Sequence, residues 1–301
     1  MDSSGKKILY INLEKKMFDA KTSPDLNKFI GGVGLGIRLL ELHKDLNPII
    51  FSIGPLNGFF PFASKTAIIL KSNNKVEDIY LGGSLSTRMK FSDLDAIVIY
   101  GKSKVPIFLD IENDKVLIKS DDTDVHSTES KIDALLPFRD AKSSETFQNV
   151  GLPGKRSILK FAGEKLKLDE YFETPGTLLE EAFAERNLIG LCTTGTKLFE
   201  PKDMEKYTLL YNLFLDKTNE LTIAKGFFPS CSGCPMGCEK SKIGEVGGNI
   251  LVHSLVACTF AQNIYNDVST VFSALNVLGY QYTHEDIENL QSLVQDSLNN
   301  I

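Results

Sequence analysis

The chain has 301 residues, of which 42% are hydrophobic and 24% are charged, a composition typical of globular proteins. This length is enough to bury about three-quarters of the unfolded surface, in one large domain or two smaller ones. The formal net charge of −6 argues against a general nucleic-acid-binding protein, which normally carries a basic stripe.

The apolar residues form the pattern of neither a membrane span nor a signal peptide. No apolar run approaches the length of about 18 residues that a membrane-spanning helix needs. Residues 1–16 lack the apolar core and the small-residue cleavage site of a signal peptide. We therefore expect a protein without a membrane span.

The first 120 residues are predicted to form mainly β-strands. Short or alternating apolar runs bounded by Gly, Pro or Asn indicate strands at 8–13, 48–53, 66–70 and 95–100. Two more apolar runs, at 107–111 and 116–118, flank a turn-forming segment and predict a β-hairpin. Helices are expected at 24–30 and 35–43.

The second half of the chain is predicted to be mainly helical. Residues 120–150 are rich in Asp, Ser and Thr and indicate a solvated loop around one short helix near 131–136. Thr177 and Glu180 have the spacing of a capping box at a helix start. Further helices are predicted at 205–219, 251–265 and 268–278, and after the N-cap residue Thr283. The pattern predicts a sheet-rich domain at 1–203 and a helical region at 204–301, which together make an α+β fold.

Three cysteines, Cys231, Cys234 and Cys238, lie within eight residues of one another with the spacing C-x2-C-x3-C. Thiolates held so close repel each other unless a soft cation lies between them, so Fe–S or zinc ligation is expected. The interleaved residues Gly233, Pro235 and Gly237 suit a tight loop whose backbone amides approach cluster sulfides. We favour a [4Fe–4S] cluster, with zinc and a loop that no longer binds metal as the alternatives. Clustered cysteines without a secretion signal indicate a reducing cytoplasm.

The cysteine spacing matches none of the common complete motifs. Radical-SAM enzymes have the two gaps in the reverse order, and a zinc ribbon needs a second C-x2-C pair. Bacterial ferredoxin spacing matches only in its last three cysteines, with Glu239 in the position of the usual proline.

A fourth cluster ligand is therefore an open question. Cys258 is a candidate, although a lone cysteine on an apolar helical face is usually just buried. His253 is a weaker alternative, and Cys192 is expected to be structural.

A glycine-rich run at 31–36 superficially resembles a dinucleotide-binding fingerprint. No strand is predicted before it, and no acidic residue follows at the distance that such a βαβ unit requires. We therefore interpret the run as a helix start packed closely on a sheet.

Several blocks of sequence, in the same order, resemble the N-terminal half of the tungsten-containing aldehyde:ferredoxin oxidoreductase family. These blocks are KILYINL (7–13), FIGGVGLG (29–36), IGPLNG (53–58), DAIVIYGK (95–102) and the cysteine loop. The resemblance implies an N-terminal domain of two β-sheets with flanking helices beneath a tungsten or molybdenum pterin. It also implies a [4Fe–4S] cluster and oxidation of aldehydes to carboxylates, with electrons passed to ferredoxin.

The resemblance also implies pterin-binding positions, at which this chain departs from the family. Lys65 stands where the family has an arginine near the pterin phosphate, which keeps the charge but not the bidentate geometry. Gly82 and Gly83 match the glycines of a family segment, Asn-Ser-Gly-Gly, that holds the pterin and its magnesium, but Tyr80 stands in the position of the Asn. Val33 replaces a common arginine, and the Gly- and Arg-rich block expected after residues 162–164 is not found.

The family takes its fourth cluster cysteine from far downstream of the region that this chain resembles. We therefore expect a complementary subunit that supplies this ligand, and a ferredoxin-like electron partner. No residue of the chain can be nominated as a catalytic acid or base. The alternative hypothesis is a degenerate, non-catalytic scaffold or cofactor-handling protein of the same fold.

Overall fold

The structure is a computed structural model that describes residues 5–120, 156–162, 165–168, 172–173, 178–225, 249–258 and 261–301. Its strands form two six-stranded sheets. The first has the order β2-β1-β6-β3-β4-β5 and the second the order β11-β10-β9-β12-β7-β8. The strands are β1 Lys6–Asn12, β2 Met17–Ser23, β3 Ile49–Ser52, β4 Thr66–Ser72, β5 Lys75–Leu81, β6 Ala96–Tyr100, β7 Ile107–Glu112, β8 Lys115–Lys119, β9 Arg156–Ala162, β10 Lys165–Leu168, β11 Phe172–Glu173 and β12 Leu188–Thr194.

Helices flank the first sheet and dominate the C-terminal third. A 3-10 helix at Pro24–Phe29 leads into α1, and another at Lys44–Leu46 precedes β3. The α-helices are α1 Gly32–Leu42, α2 Leu85–Phe91, α3 Leu178–Glu185, α4 Met204–Lys225, α5 Ile250–Ser254, α6 Gln262–Tyr265, α7 Val268–Val277, α8 His284–Glu288 and α9 Leu290–Asn299. No helix in this described part of the chain is both long and apolar enough to cross a bilayer.

The central strands of the first sheet are buried on both faces, because they alternate side chains between two hydrophobic cores, whereas the edge strand β2 is mostly exposed. One face contributes Ile50, Ile69 and Val98 to a core that it shares with α1 and the C-terminal helices. The other face contributes Phe51 and Ile97, among others, to a core between the two sheets. The helix-side core contains residues from both 1–203 and 204–301. The boundary at residue 203 stays a prediction.

The α+β architecture predicted from the sequence is confirmed. Four predicted strands, the hairpin β7–β8 and helices α1, α3, α4 and α7 are observed near the expected residues. Thr283 caps α8 as predicted, in a capping box with Asp286. The segment at 24–30 forms a 3-10 helix, so no strand precedes the glycine-rich run. The predicted helix near 131–136 and the cap at Thr177 lie outside the described residues.

The predicted continuous helix at 251–265 is wrong. The chain forms α5, turns at Val256 with a φ of 56°, and resumes only at α6. Cys258 therefore lies outside α5, and its N–H donates to the Phe62 carbonyl at 2.6 Å. A tertiary hydrogen bond replaces the helical one, and the apolar periodicity of the sequence does not reveal that exchange.

Several elements were not predicted. Strand β2 carries mostly exposed polar residues, and β9 to β12 have mixed polarity, so their alternation is weak. Their pairing partners stabilise them as strands: β12 pairs in parallel with β7 and antiparallel with β9. Strand propensity depends on such context more than helix propensity does.

The contact between α1 and β4 can be tested at Gly36. A Cβ at this position would overlap Cγ1 of Ile69. We expect Gly36→Ala to lower the free energy of unfolding by about 1–3 kcal/mol through overpacking, although alanine has the better helix propensity. In an Ile69→Ala background the same change should cost at least about 1 kcal/mol less, because Cγ1 is gone. Urea denaturation of the four proteins measures this coupling, and equal costs in both backgrounds would contradict the packing described here.

Candidate functional site

The pterin-binding candidates Lys65, Gly82 and Gly83 lie together at one end of the β4–β5 hairpin. Strand β4 begins at Thr66, which pairs with Leu81 at the end of β5. Lys65 precedes Thr66 and Gly82 follows Leu81, so the two residues lie next to each other at this end of the hairpin. Gly83 has a φ of 78°, in the left-handed region that favours glycine. The structure thus brings the three residues to one place.

The loop between β3 and β4 lies beneath this end of the hairpin and is held by polar contacts. The Asn57 side-chain amide donates to the Ser86 carbonyl at 2.7 Å, and the Ser86 hydroxyl donates to the Ser64 carbonyl at 2.7 Å. The Gly58 N–H donates to the Ser64 hydroxyl at 2.8 Å. These bonds tie the IGPLNG block to the start of α2, and they leave Lys65 in a fixed backbone position.

The segment that follows α5 closes the site from the other side. The Lys65 N–H donates to the Val256 carbonyl at 3.3 Å. Val256 and Phe62 both have positive φ, at 56° and 58°. A β-branched residue in this region is strained, and such strain is concentrated at functional sites.

Close backbone approach fixes this segment against the glycine-rich blocks. A Cβ on Gly32 would overlap the His253 carbonyl, and a Cβ on Gly54 would overlap the Leu255 carbonyl. The Gly34 N–H also donates to the Ser254 hydroxyl at 3.2 Å. The glycines of the family-like blocks are thus required by packing, as expected for the run at 31–36.

Lys65, Tyr80 and His253 lie close together at the centre of the site. Lys65 is buried, with its Nζ 5.6 Å from the centroid of the Tyr80 ring. The His253 ring lies 5.0 Å from the same ring. Burial, together with the nearby Lys65 charge, lowers the pKa of His253 to about 4. His253 is therefore neutral at physiological pH, so one of its ring nitrogens can donate a hydrogen bond and the other can accept one.

Buried polar atoms at the site fit a polar ligand. Within the part of the chain that the structure describes, Asn57 Oδ1, Thr66 Oγ1 and His253 Nδ1 have no hydrogen-bond partner. Unsatisfied buried polar atoms are costly, at about 1–3 kcal/mol each, so they are uncommon away from functional sites. Asn57 Oδ1 is an acceptor, Thr66 Oγ1 is a donor or an acceptor, and the buried Lys65 ammonium is a donor.

The cysteines fall into two groups. Cys231, Cys234 and Cys238 lie outside the described residues. Cys258 and Cys192 are described, and both are buried and outside any disulfide. Burial, reinforced by Asp110, raises the pKa of Cys192 to about 12, so this thiol is inert, as a structural cysteine should be. In the described residues no group of three His, Cys, Asp or Glu side chains is arranged for a metal.

Sequence reasoning missed the role of Asn57 and Val256. Asn57 lies within the IGPLNG block, but its bond to Ser86 joins residues far apart in the sequence. The carbonyl of Val256 meets Lys65 only because the predicted helix is broken at that residue. The only signal in the sequence for Asn57 was its place within a glycine-rich block.

Comparisons with known proteins point to one family. Residues 8–156 match the model described as "Aldehyde ferredoxin oxidoreductase, N-terminal domain". An "Aliphatic sulfonate oxidoreductase, WOR-like subunit" of Pyrococcus furiosus is 35% identical over 128 residues, which cover 38% of this chain and 20% of that protein. A "Tungsten-containing aldehyde ferredoxin oxidoreductase" of the same organism is 23% identical over 213 residues, or 67% of this chain and 35% of the relative.

A solved structure supports the fold. The chain is similar to "Active site complex BamBC of Benzoyl Coenzyme A reductase in complex with 1,5 Dienoyl-CoA", with a TM-score of 0.54 and 19% identity. The match covers 72% of this chain and 35% of that chain. The chain thus spans about a third of most of the relatives that it matches. Residues 8–156 are an N-terminal domain of the aldehyde ferredoxin oxidoreductase family, and the expected resemblance to the N-terminal half is confirmed.

The low pKa of His253 predicts that the protein becomes less stable as the pH is lowered. Unfolded histidine takes up a proton below about pH 6.5, whereas folded His253 stays neutral down to about 4. The unfolded state therefore binds more protons in this window, and the free energy of unfolding should fall by about 2–3 kcal/mol as pH drops through it.

Urea denaturation of the wild type and His253→Asn at about pH 7 and about pH 4.5 measures this change. The variant should lose most of the pH dependence, whereas His284→Asn, at an exposed histidine, should keep it. A wild-type slope in His253→Asn would show that the titration belongs to other groups.

Proposed function

We propose that this chain is an iron–sulfur subunit of an oxidoreductase of the aldehyde ferredoxin oxidoreductase family. Cys231, Cys234 and Cys238 supply three ligands to a [4Fe–4S] cluster. A complementary polypeptide supplies the fourth ligand and the larger part of the pterin site. The observation that carries this proposal is a three-thiolate loop, one short of a closed cluster site, in a chain with this family's N-terminal domain.

One finding supports a subunit: the relative with 35% identity is named a subunit. In the enzymes of this family, aldehydes are oxidised to carboxylates and electrons pass to ferredoxin. In the proposed complex this chain relays those electrons in the cytoplasm, from the pterin side to a ferredoxin-like carrier.

The site at the β4–β5 hairpin is the proposed contact with the pterin. Its residues can hold a phosphorylated pterin: the Lys65 ammonium for the phosphate, and the Gly82–Gly83 backbone for close approach. When bound, the tungsten or molybdenum pterin supplies the two-electron chemistry. This chain's part is to bind and orient the cofactor and to keep His253 neutral beside it.

A second candidate function is a non-catalytic scaffold or cofactor-handling protein. One observation favours it: the Tyr80 ring, in the position of the family's Asn, fills the space between Lys65 and His253. Together with the loss of arginine at Lys65, this weakens phosphate binding, because each lost charge-assisted bond costs about 1.5–3 kcal/mol.

Metal analysis after anaerobic purification tests the two functions. We expect about four irons with matching acid-labile sulfide per complex, and the EPR signal of a reduced [4Fe–4S] cluster. Cys231→Ser should lose most of the iron, whereas Cys192→Ser, at a buried and inert thiol, should retain it. The same measurement includes tungsten and molybdenum.

Each outcome separates the hypotheses. Iron with tungsten or molybdenum supports the oxidoreductase subunit, and iron alone places the pterin chemistry on other chains. Neither iron nor sulfide, even with a complementary chain co-expressed, would refute cluster binding and favour the scaffold. One zinc in a colourless protein would favour a structural zinc loop.

Helix α4 offers a surface for the complementary chain. Its inner face places Tyr207 and Phe214 in the helix-side core. On its outer face Leu209 and Leu213, one helical turn apart, are 67% and 48% exposed. Exposed leucines at this spacing are typical of an interaction face. The occupant that we propose is a chain with the family's downstream region, which this chain does not match.

Charge substitutions on α4 test that surface. Leu209→Glu with Leu213→Glu should weaken binding to the complementary chain at least about tenfold, because two apolar contacts are replaced by desolvated charges. Analytical ultracentrifugation or calorimetry measures the affinity, and thermal denaturation checks that the chain remains folded. Asn212→Glu, an exposed position on the same helix, is the matched control. Unchanged affinity in the double variant would remove α4 from the interface.

A further inference from the structure

A polar cavity lies on a different part of the fold from the Lys65 site. It has a volume of about 670 Å³ and lies between the start of β1, the turn after α2 and the segment after α7. Lys6, Lys90, Asp95, Tyr280 and Tyr282 line it. None of the family-like pterin positions is among its residues. A cavity of this size, with convergent polar groups, is able to hold a small molecule.

Two lysines of the cavity lie near the same aromatic ring, that of Tyr280. The Nζ of Lys6 lies 5.6 Å from the Tyr280 ring centroid, and the Nζ of Lys90 lies 5.9 Å from it. Lys90 also lies 4.9 Å from the Phe199 ring centroid and donates to the Tyr280 hydroxyl at 3.2 Å. Tyr280 stacks on Tyr282, at 5.9 Å between centroids. The two amines are thus held close together among aromatic groups.

The carboxylates beside Lys90 are engaged by other lysines. Asp95 lies 3.7 Å from Lys6 and accepts from the Lys7 backbone at 2.9 Å. Asp93 pairs with Lys197 at 2.6 Å. Lys6, although burial alone lowers its pKa, is kept above its ordinary value by Tyr282, Asp95 and Tyr280, so it stays charged. Lys6 therefore carries a positive charge at neutral pH.

Lys90 consequently differs from an ordinary surface lysine. Burial, together with the neighbouring Lys6 charge, lowers the pKa of Lys90 to about 8 against the pull of Asp95, Asp93 and Tyr282. Burial raises the pKa of Tyr280, so its phenol keeps its proton at neutral pH. A pKa of about 8 leaves about a tenth of the Lys90 amine unprotonated at pH 7. An amine of lowered pKa beside a charged group, next to a phenol, is the arrangement that activates a lysine toward carbonyl groups.

We propose that Lys90 is a reactive amine that condenses reversibly with small aldehydes or ketones in this cavity. The Lys90 lone pair attacks the carbonyl carbon to form a C–N bond, and the carbonyl oxygen gains a proton, with Tyr280 as the donor. The nitrogen releases one proton, which restores the Tyr280 phenol, and a carbinolamine results. Loss of the hydroxyl with the remaining N–H proton as water gives the imine, so no oxidant or reductant is consumed.

Reductive trapping on the full-length chain tests this proposal. Propionaldehyde and cyanoborohydride are added at about pH 7, and peptide mass spectrometry follows each lysine with time. Lys206, which is on α4 and 75% exposed in its side chain, is the internal control. We expect Lys90 to be modified at least tenfold faster than Lys206. At pH 7, a pKa of about 8 leaves roughly a hundredfold more unprotonated amine than the ordinary lysine pKa does.

Two further measurements complete the test. The rate at Lys90 should rise with pH to a midpoint near 8, and Tyr280→Phe should slow Lys90 without changing Lys206. Modification of Lys90 no faster than Lys206 in the wild-type protein would overturn the proposal, and that comparison requires no variant to fold. An unchanged Lys90 rate in Tyr280→Phe would overturn the role of Tyr280. None of these readouts depends on iron or tungsten.

Discussion

The close approach of one short backbone segment to two glycine-rich blocks is the constraint on which the site depends. The carbonyls of His253 and Leu255 lie where side chains on Gly32 and Gly54 would be. Because no Cβ intervenes, the C-terminal region packs directly against the start of α1 and the loop after β3. The same contact turns the chain sharply at Val256 and directs its carbonyl to Lys65. Residues far apart in the sequence thus meet at the end of the β4–β5 hairpin.

The electrostatics of both polar sites follow from burial. Lys65 is buried against Tyr80, and its charge helps to keep His253 neutral. At the polar cavity, Asp95 helps to hold Lys6 charged, whereas burial and that charge lower the pKa of Lys90. In both places a low-dielectric surrounding with one fixed charge decides the protonation of the group beside it. The ion pairs at the protein surface have no comparable effect.

The sequence predicted the parts of the fold that have a strong local signal. The apolar runs of β3, β4 and β6 and the hairpin β7–β8 were found because their strands bury both faces or flank a clear turn. The capping box at Thr283 was found because it is local. Strands such as β2 and β9 were missed because cross-strand pairing, which a single run of residues does not record, stabilises them. The helix predicted across Val256 failed because a tertiary hydrogen bond, from the Cys258 N–H to the Phe62 carbonyl, replaces a helical one.

The sequence by itself determined the family, the three-thiolate motif and the positions of Lys65, Gly82 and Gly83. These depend on residue type and spacing, which are present in the linear order of the chain. The tertiary structure alone decided that Lys65 and His253 both lie beside the Tyr80 ring, and that Lys6 and Lys90 both lie beside the Tyr280 ring. Burial and distance between remote residues set a pKa or leave a polar atom unsatisfied, and neither quantity exists until the chain has folded.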